Sequence, residues 1–132
     1  SDKVKLERVA LNMMDSKQPD NDGYIPNEEP INIETPAALF TNIPIKSLRA
    51  AIEEQGISVK ISNSCGLYVC NRLYYEALML CKKYHMKSIF IHLPFYEGQP
   101  SAKPNKPTMP QNDMVKAIQT IIEKINDKYR EF

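Results

Sequence analysis

The chain has 132 residues, 42% hydrophobic and 25% charged, enough to bury a core of its own without covalent staples. Seventeen basic against sixteen acidic side chains leave a net charge of +1, which gives no electrostatic footprint for nucleic acid or another polyanion. No apolar run approaches the roughly 20 residues of a membrane helix, and the charged start Ser1-Asp-Lys-Val-Lys-Leu-Glu7 does not read as a signal peptide.

Three cysteines, Cys65, Cys70 and Cys81, leave at least one thiol unpaired in any arrangement, which points to a reducing, cytoplasmic setting. In chain order, the first strand is expected over residues 6–14, an apolar stretch interrupted by Glu7, Arg8 and Asn12. Residues 15–35 show no sustained period and carry Pro19, Gly23, Pro26 and Pro30, so they read as a long irregular loop. A helix follows over 45–55, with Pro44 suited to its start, Ile45, Leu48 and Ile52 at helical spacing and Gly56 to end it. Alternation of Ile57, Val59 and Ile61 predicts a short strand.

After a turn through Asn63, Ser64 and Gly66, a helix over 70–84 with Leu73, Ala77, Leu78 and Leu80 inward leads to a strand over 88–93. Five prolines between 94 and 110 read as a flap or arm, and the repeat of Val115, Ile118, Ile121, Ile122 and Ile125 sets a final helix over 112–129. The order of strands and helices predicts one α/β domain, residues 1–132, built on a parallel sheet. Only three strands are visible, fewer than a covered parallel sheet normally has.

In a parallel sheet, right-handed crossovers bring strand C-termini to one edge, where open α/β sheets place their sites. Cys70 begins the helix that follows one strand, and His92 ends the next strand. A thiolate is the reactive form of cysteine, and both a helix N-terminus and a neighbouring imidazole favour it. His92 could take the thiol proton and return it to a leaving amine, with Glu7 holding the imidazole tautomer as the third member of a triad. Backbone N–H groups at Cys70 and Asn71 are natural oxyanion donors.

Each residue also has a plain structural reading. A cysteine ahead of a helix can be a small buried hydrophobe, a strand-end histidine can be structural, and Glu7 can be an exposed strand position. Cys81 with His85 has the spacing of two metal ligands but no second pair, so Cys81 reads as core and His85 as surface. The run Asp20-Asn-Asp-Gly23 lacks the alternating ligands of a calcium loop and reads as a turn. Cys65 reads as a buried thiol, or as a partner for Cys70 under oxidation.

The segments Glu7-Arg-Val-Ala-Leu-Asn12, Pro19-Asp-Asn-Asp-Gly-Tyr24, Ile43-Pro-Ile-Lys46, Val69-Cys70-Asn71, Phe90-Ile-His-Leu-Pro94 and Pro107-Thr-Met-Pro110 stand in order along the chain. Together they resemble the C-terminal two thirds of the pyroglutamyl peptidase I (pyrrolidone-carboxylate peptidase) family of cysteine peptidases. The resemblance implies an open, mainly parallel sheet with helices on both faces, three α/β/α layers, and a homotetramer without metal or cofactor. It places Glu7, Cys70 and His92 on the family's triad, and Tyr68 and Val69 on positions that line the pocket. The implied activity removes N-terminal 5-oxoproline from peptides through a thioester on Cys70. A neutral lactam calls for an apolar pocket with few hydrogen bonds, and a charged free amino terminus would be rejected there. Lys17-Gln18 stands where the family usually has Arg-Ile, which puts an amide, Gln18, at an apolar pocket position. The family's leading glycine- and phenylalanine-rich loop and a Gln-Ala-Gly-Gly-Arg segment have no counterpart after Ser1, so the N-terminal part of that fold is expected to be absent. A catalytic chain and a non-catalytic piece that requires a partner are therefore both open.

Overall fold

The structure, a computed structural model, describes residues 1–99 and 105–129, with the backbone alone at 128 and 129. Its strands are β1 (Val4–Glu7), β2 (Val9–Leu11), β3 (Ala38–Phe40), β4 (Val59–Ser62), β5 (Phe90–His92), β6 (Phe95–Tyr96) and β7 (Thr108–Met109). Its helices are α1 (Ile45–Glu54), α2 (Val69–Tyr84) and α3 (Gln111–Tyr129). These residues form two compact units, one of 1–6, 44–61 and 91–132, the other of 7–43 and 62–90.

The expected first strand is two strands that part at Arg8. The Val4 N–H donates to the Ser58 carbonyl and the Arg8 N–H to the Ser62 carbonyl, four residues on in both segments, which is a parallel register. Beyond Arg8 the chain changes partner: the Arg8 carbonyl accepts from the Thr41 N–H, and β2 pairs antiparallel with β3, Ala10 opposite Leu39. The three-stranded sheet runs β4-β1-β5, so the fold is α/β with parallel sheet elements, as expected.

In the first unit, α1 packs on α3. Ile45, Leu48, Ala51 and Ile52 of α1 are buried, as are Met114, Ala117 and Ile121 of α3. Gly56 ends α1 with φ near +75°, its N–H bonded back to the Glu53 carbonyl, the left-handed close that glycine permits. The arm from 94 to 110 contains a parallel pair of two-residue strands, β6 and β7, where no regular element was expected; two residues are too few to show a period. Pro100 and Pro104 of that arm lie outside the described residues.

In the second unit, α2 packs on β2 and β3 around Ala10, Leu39, Tyr74, Tyr75 and Leu78. The strand β3 was not anticipated, since its three residues show no alternation. The loop after β2 is irregular, as expected, yet it is tied down. Asn12 donates its amide to the Asn32 carbonyl (2.6 Å) and accepts from the Ile31 and Asn32 N–H groups (2.8 and 2.9 Å). Asp20 closes a turn by accepting from the Asp22 and Tyr24 N–H groups, both at 2.9 Å.

The apolar faces of α2 and α3 differ from expectation. On α2 the buried stripe is Asn71, Tyr74, Tyr75, Leu78 and Cys81, while Leu73 and Leu80 are 59% and 54% exposed. On α3, Val115 and Ile122 are exposed although the repeat placed them inward. Both helices carry apolar residues on two sides, and period alone does not say which side meets a neighbour. Among the described residues no helix is long and apolar enough to cross a membrane.

Candidate active site

Cys70 is the second residue of α2, half-buried, with its thiol free. The first intrahelical bond runs from the Arg72 N–H to the Tyr68 carbonyl, so the N–H groups of Val69, Cys70 and Asn71 have no acceptor within the helix. Tyr68, at the N-cap, makes no side-chain capping bond, and the first turn holds no acidic residue. These amides therefore carry the positive end of the helix dipole at the thiol.

Glu7, the last residue of β1, is 1% exposed. This overturns the exposed-strand reading of that residue and leaves a buried carboxyl, the more informative case. Cys65 lies within electrostatic range of both Glu7 and Cys70. Burial first, then the charge of Glu7, pushes the Cys65 thiol up to about 11. Cys65 is a free thiol that points its sulfur at the Val9 carbonyl (3.9 Å) and the Asn71 Oδ1 (3.5 Å). Glu7, Cys65 and Cys70 belong to the second unit. His92 is the half-buried last residue of β5 and belongs to the first.

Of the expected pocket residues, Tyr68 and Gln18 are drawn to the same loop. The Tyr68 hydroxyl donates to the Pro19 carbonyl at 2.7 Å, and the Gln18 N–H donates to Ser16 Oγ at 3.0 Å. Val69 is 52% exposed. Val69, Tyr68, Met14, Tyr24 and Arg72 line a small cavity that is open to solvent. Further along α2, a shallow groove of about 420 Å³ opens beside Ile31, Tyr75, Met79 and Leu80.

The side-chain roles of Asn71, expected only as a backbone oxyanion donor, and of Tyr74 were missed from the sequence. Asn71 is fully buried, and its side-chain amide bonds to Leu11 and Met13. Tyr74, one turn on, donates its hydroxyl to the Glu7 carbonyl at 2.9 Å, and burial pushes that hydroxyl up to about 12. The available signal was spacing: 71, 74, 75, 78 and 81 form one helical stripe, which makes Asn71 a buried polar residue in need of partners. Elsewhere Cys81 is buried and His85 is exposed at the left-handed end of α2, as the spacing suggested.

The fold and site are those of an α/β protein that seats a free cysteine at an uncapped helix N-terminus, in the same compact unit as a buried glutamate, an arrangement suited to thiol chemistry. Residues 1–128 match the sequence profile of pyroglutamyl peptidase. Pyrrolidone-carboxylate peptidase 1 of Caldanaerobacter subterraneus subsp. tengcongensis is 44% identical over 124 residues, 92% of this chain and 61% of that protein. A pyrrolidone-carboxylate peptidase of Streptococcus pneumoniae is 43% identical over 123 residues, 92% of this chain and 58% of that protein. Among solved structures, pyrrolidone carboxyl peptidase from Thermococcus litoralis superposes on 99% of this chain and 62% of its own, with a TM-score of 0.89 at 33% identity. The chain belongs to the pyroglutamyl peptidase family. It spans about three fifths of the length of the curated relatives it matches.

Proposed function

We propose that this chain carries the catalytic residues of a thiol exopeptidase that removes N-terminal pyroglutamate from peptides. The observation that carries the reading is the seat of Cys70 on the uncapped first turn of α2, in a chain of this family. Cys70 attacks the carbonyl carbon of the pyroglutamyl peptide bond, and the oxyanion that forms accepts from the N–H groups of Cys70 and Asn71. His92 takes the thiol proton and delivers it to the departing amine, leaving a thioester on Cys70. Water, deprotonated by His92, then attacks the thioester and releases 5-oxoproline. Glu7 is the acid assigned to hold His92 in the tautomer this cycle needs.

Tyr68, Val69 and Gln18 contact the lactam, with no metal or cofactor in the cycle. We place the enzyme in the cytoplasm, where three free thiols persist, as a homo-oligomer, a tetramer as the family resemblance implies. The test is release of a fluorogenic amine from its pyroglutamyl amide under reducing conditions. Release that stops in Cys70→Ala and in His92→Ala is expected. Equal release by Cys70→Ala, or equal cleavage of an amide with a free amino terminus, refutes the proposal.

A second reading is favoured by the outer face of α2, where Val69, Leu73, Leu80 and Tyr84 are all more than half exposed. Here the 132 residues are a piece that acts only when a complementing polypeptide covers that stripe. Co-expression with the unmatched two fifths of the Caldanaerobacter relative would then create turnover, whereas turnover by this chain alone rules the reading out.

A further inference from the structure

We infer that the side chain of Asn71 is a positioning residue that sets Cys70 through a long-range clamp in place of a helix cap. The inference rests on Cys70 as the nucleophile. Asn71 is fully buried, and its amide uses its whole hydrogen-bonding capacity. Its Oδ1 accepts from the Leu11 N–H at 2.9 Å and from the Cys65 thiol at 3.5 Å. Its Nδ2 donates to the Leu11 carbonyl at 2.8 Å and to the Met13 carbonyl at 3.3 Å. One amide thus meets both backbone groups of Leu11, as a neighbouring strand would, sixty residues away in sequence.

The reason for such a clamp lies at the helix start. An ordinary Ser, Thr or Asp cap accepts from the N–H of the second or third helical residue. In α2 those residues are Cys70 and Asn71, whose N–H groups the proposed oxyanion site requires. A capping side chain would occupy the donors that the reaction needs. The N-cap is instead Tyr68, without a capping bond, and the first turn is held from below by Asn71. Tyr74 repeats the anchor one turn later on the Glu7 carbonyl, so the turn bearing Cys70 is tied at both ends to the 7–13 segment that begins with Glu7. The nucleophile keeps its place while the amides beside it stay open. Displacement of a reacting atom by about 1 Å can cost on the order of a hundredfold in rate, which is what such an anchor prevents.

Asn71→Asp keeps the shape and one acceptor and loses both donors; Asn71→Ser, smaller and still able to donate, serves if the first fails to fold. In a variant that retains the parental circular dichroism, two changes are expected: kcat for the pyroglutamyl amide falls about tenfold or more with KM little changed, and carbamidomethylation of Cys70 by iodoacetamide, read by peptide mass mapping at fixed pH, slows severalfold. A lower melting temperature with Cys70 reactivity and kcat at parental values reduces Asn71 to a structural role and overturns the inference. The alkylation needs no turnover, so a chain inactive from the outset counts against the proposed peptidase activity of these residues and leaves the test of Asn71 in force.

Discussion

Replacing Tyr74 by Phe removes one oxygen from the middle of the second unit. The Tyr74 side chain is 1% exposed, and its hydroxyl donates to the Glu7 carbonyl at 2.9 Å. Its ring packs at 5.7 Å and 45° against Phe90, a contact that Phe keeps. The loss comprises the hydrogen bond to the Glu7 carbonyl, the buried acceptor it served and the bonds the same hydroxyl takes from Thr41 and the Phe90 backbone, together at least about 2 kcal/mol. For a chain of this size that corresponds to a melting temperature lower by roughly 5 to 10 °C. Urea denaturation followed by circular dichroism measures it directly. The pH dependence supplies a second check. Burial raises the Tyr74 hydroxyl to about 12, against opposing bonds from Thr41 and the Phe90 backbone, whereas an unfolded tyrosine ionises near 10. Its contribution is then complete below about pH 10 and is lost as pH rises from about 10 to 12. Tyr74→Phe has no such contribution to lose, so parent and variant should converge over that interval. A variant within 0.5 kcal/mol of the parent at neutral pH, or a gap unchanged up to pH 12, would refute the assignment.

Three further outcomes follow from particular residues. Leu78→Ala should cost about 2 to 5 kcal/mol and Leu80→Ala less than about 1, since Leu78 is 3% and Leu80 54% exposed; equal losses in denaturation would mean that α2 buries its other stripe. Gly56→Ala meets nothing within 4 Å but must hold φ near +75°, so strain alone should cost about 1 to 2 kcal/mol, visible as a lower urea midpoint. With Cys65 raised to about 11, alkylation of that thiol at pH 8 should run at least about tenfold slower than that of free cysteine, and parity in a mass-mapping assay would contradict its burial beside Glu7.

Features that depend on neighbours along the chain were legible without coordinates. Helical spacing placed α1, α2 and α3 to within a residue at each end, because three or more turns repeat the same pattern. The Val69-Cys70-Asn71 step and the strand ending at His92 were likewise visible, and with the other ordered segments they carried the family resemblance. The two-residue strands β6 and β7 and the three-residue β3 were not, since pairing across the chain, not any local pattern, makes them strands.

Tertiary structure decided the rest. Two apolar stripes run along α2, and hydrophobicity is equal evidence for either; only packing against β2 and β3 selected Tyr74, Tyr75 and Leu78 over Leu73 and Leu80. The burial of Glu7, which a strand pattern reads as a solvent position, arises from what covers the end of β1. The role of Asn71 depends on Leu11 and Met13, sixty and fifty-eight residues away, meeting one amide at hydrogen-bonding distance. Sequence by itself set the chemical type and order of these groups through local geometry. Their depth and their partners came from long-range hydrogen bonds and packing, which no local period encodes.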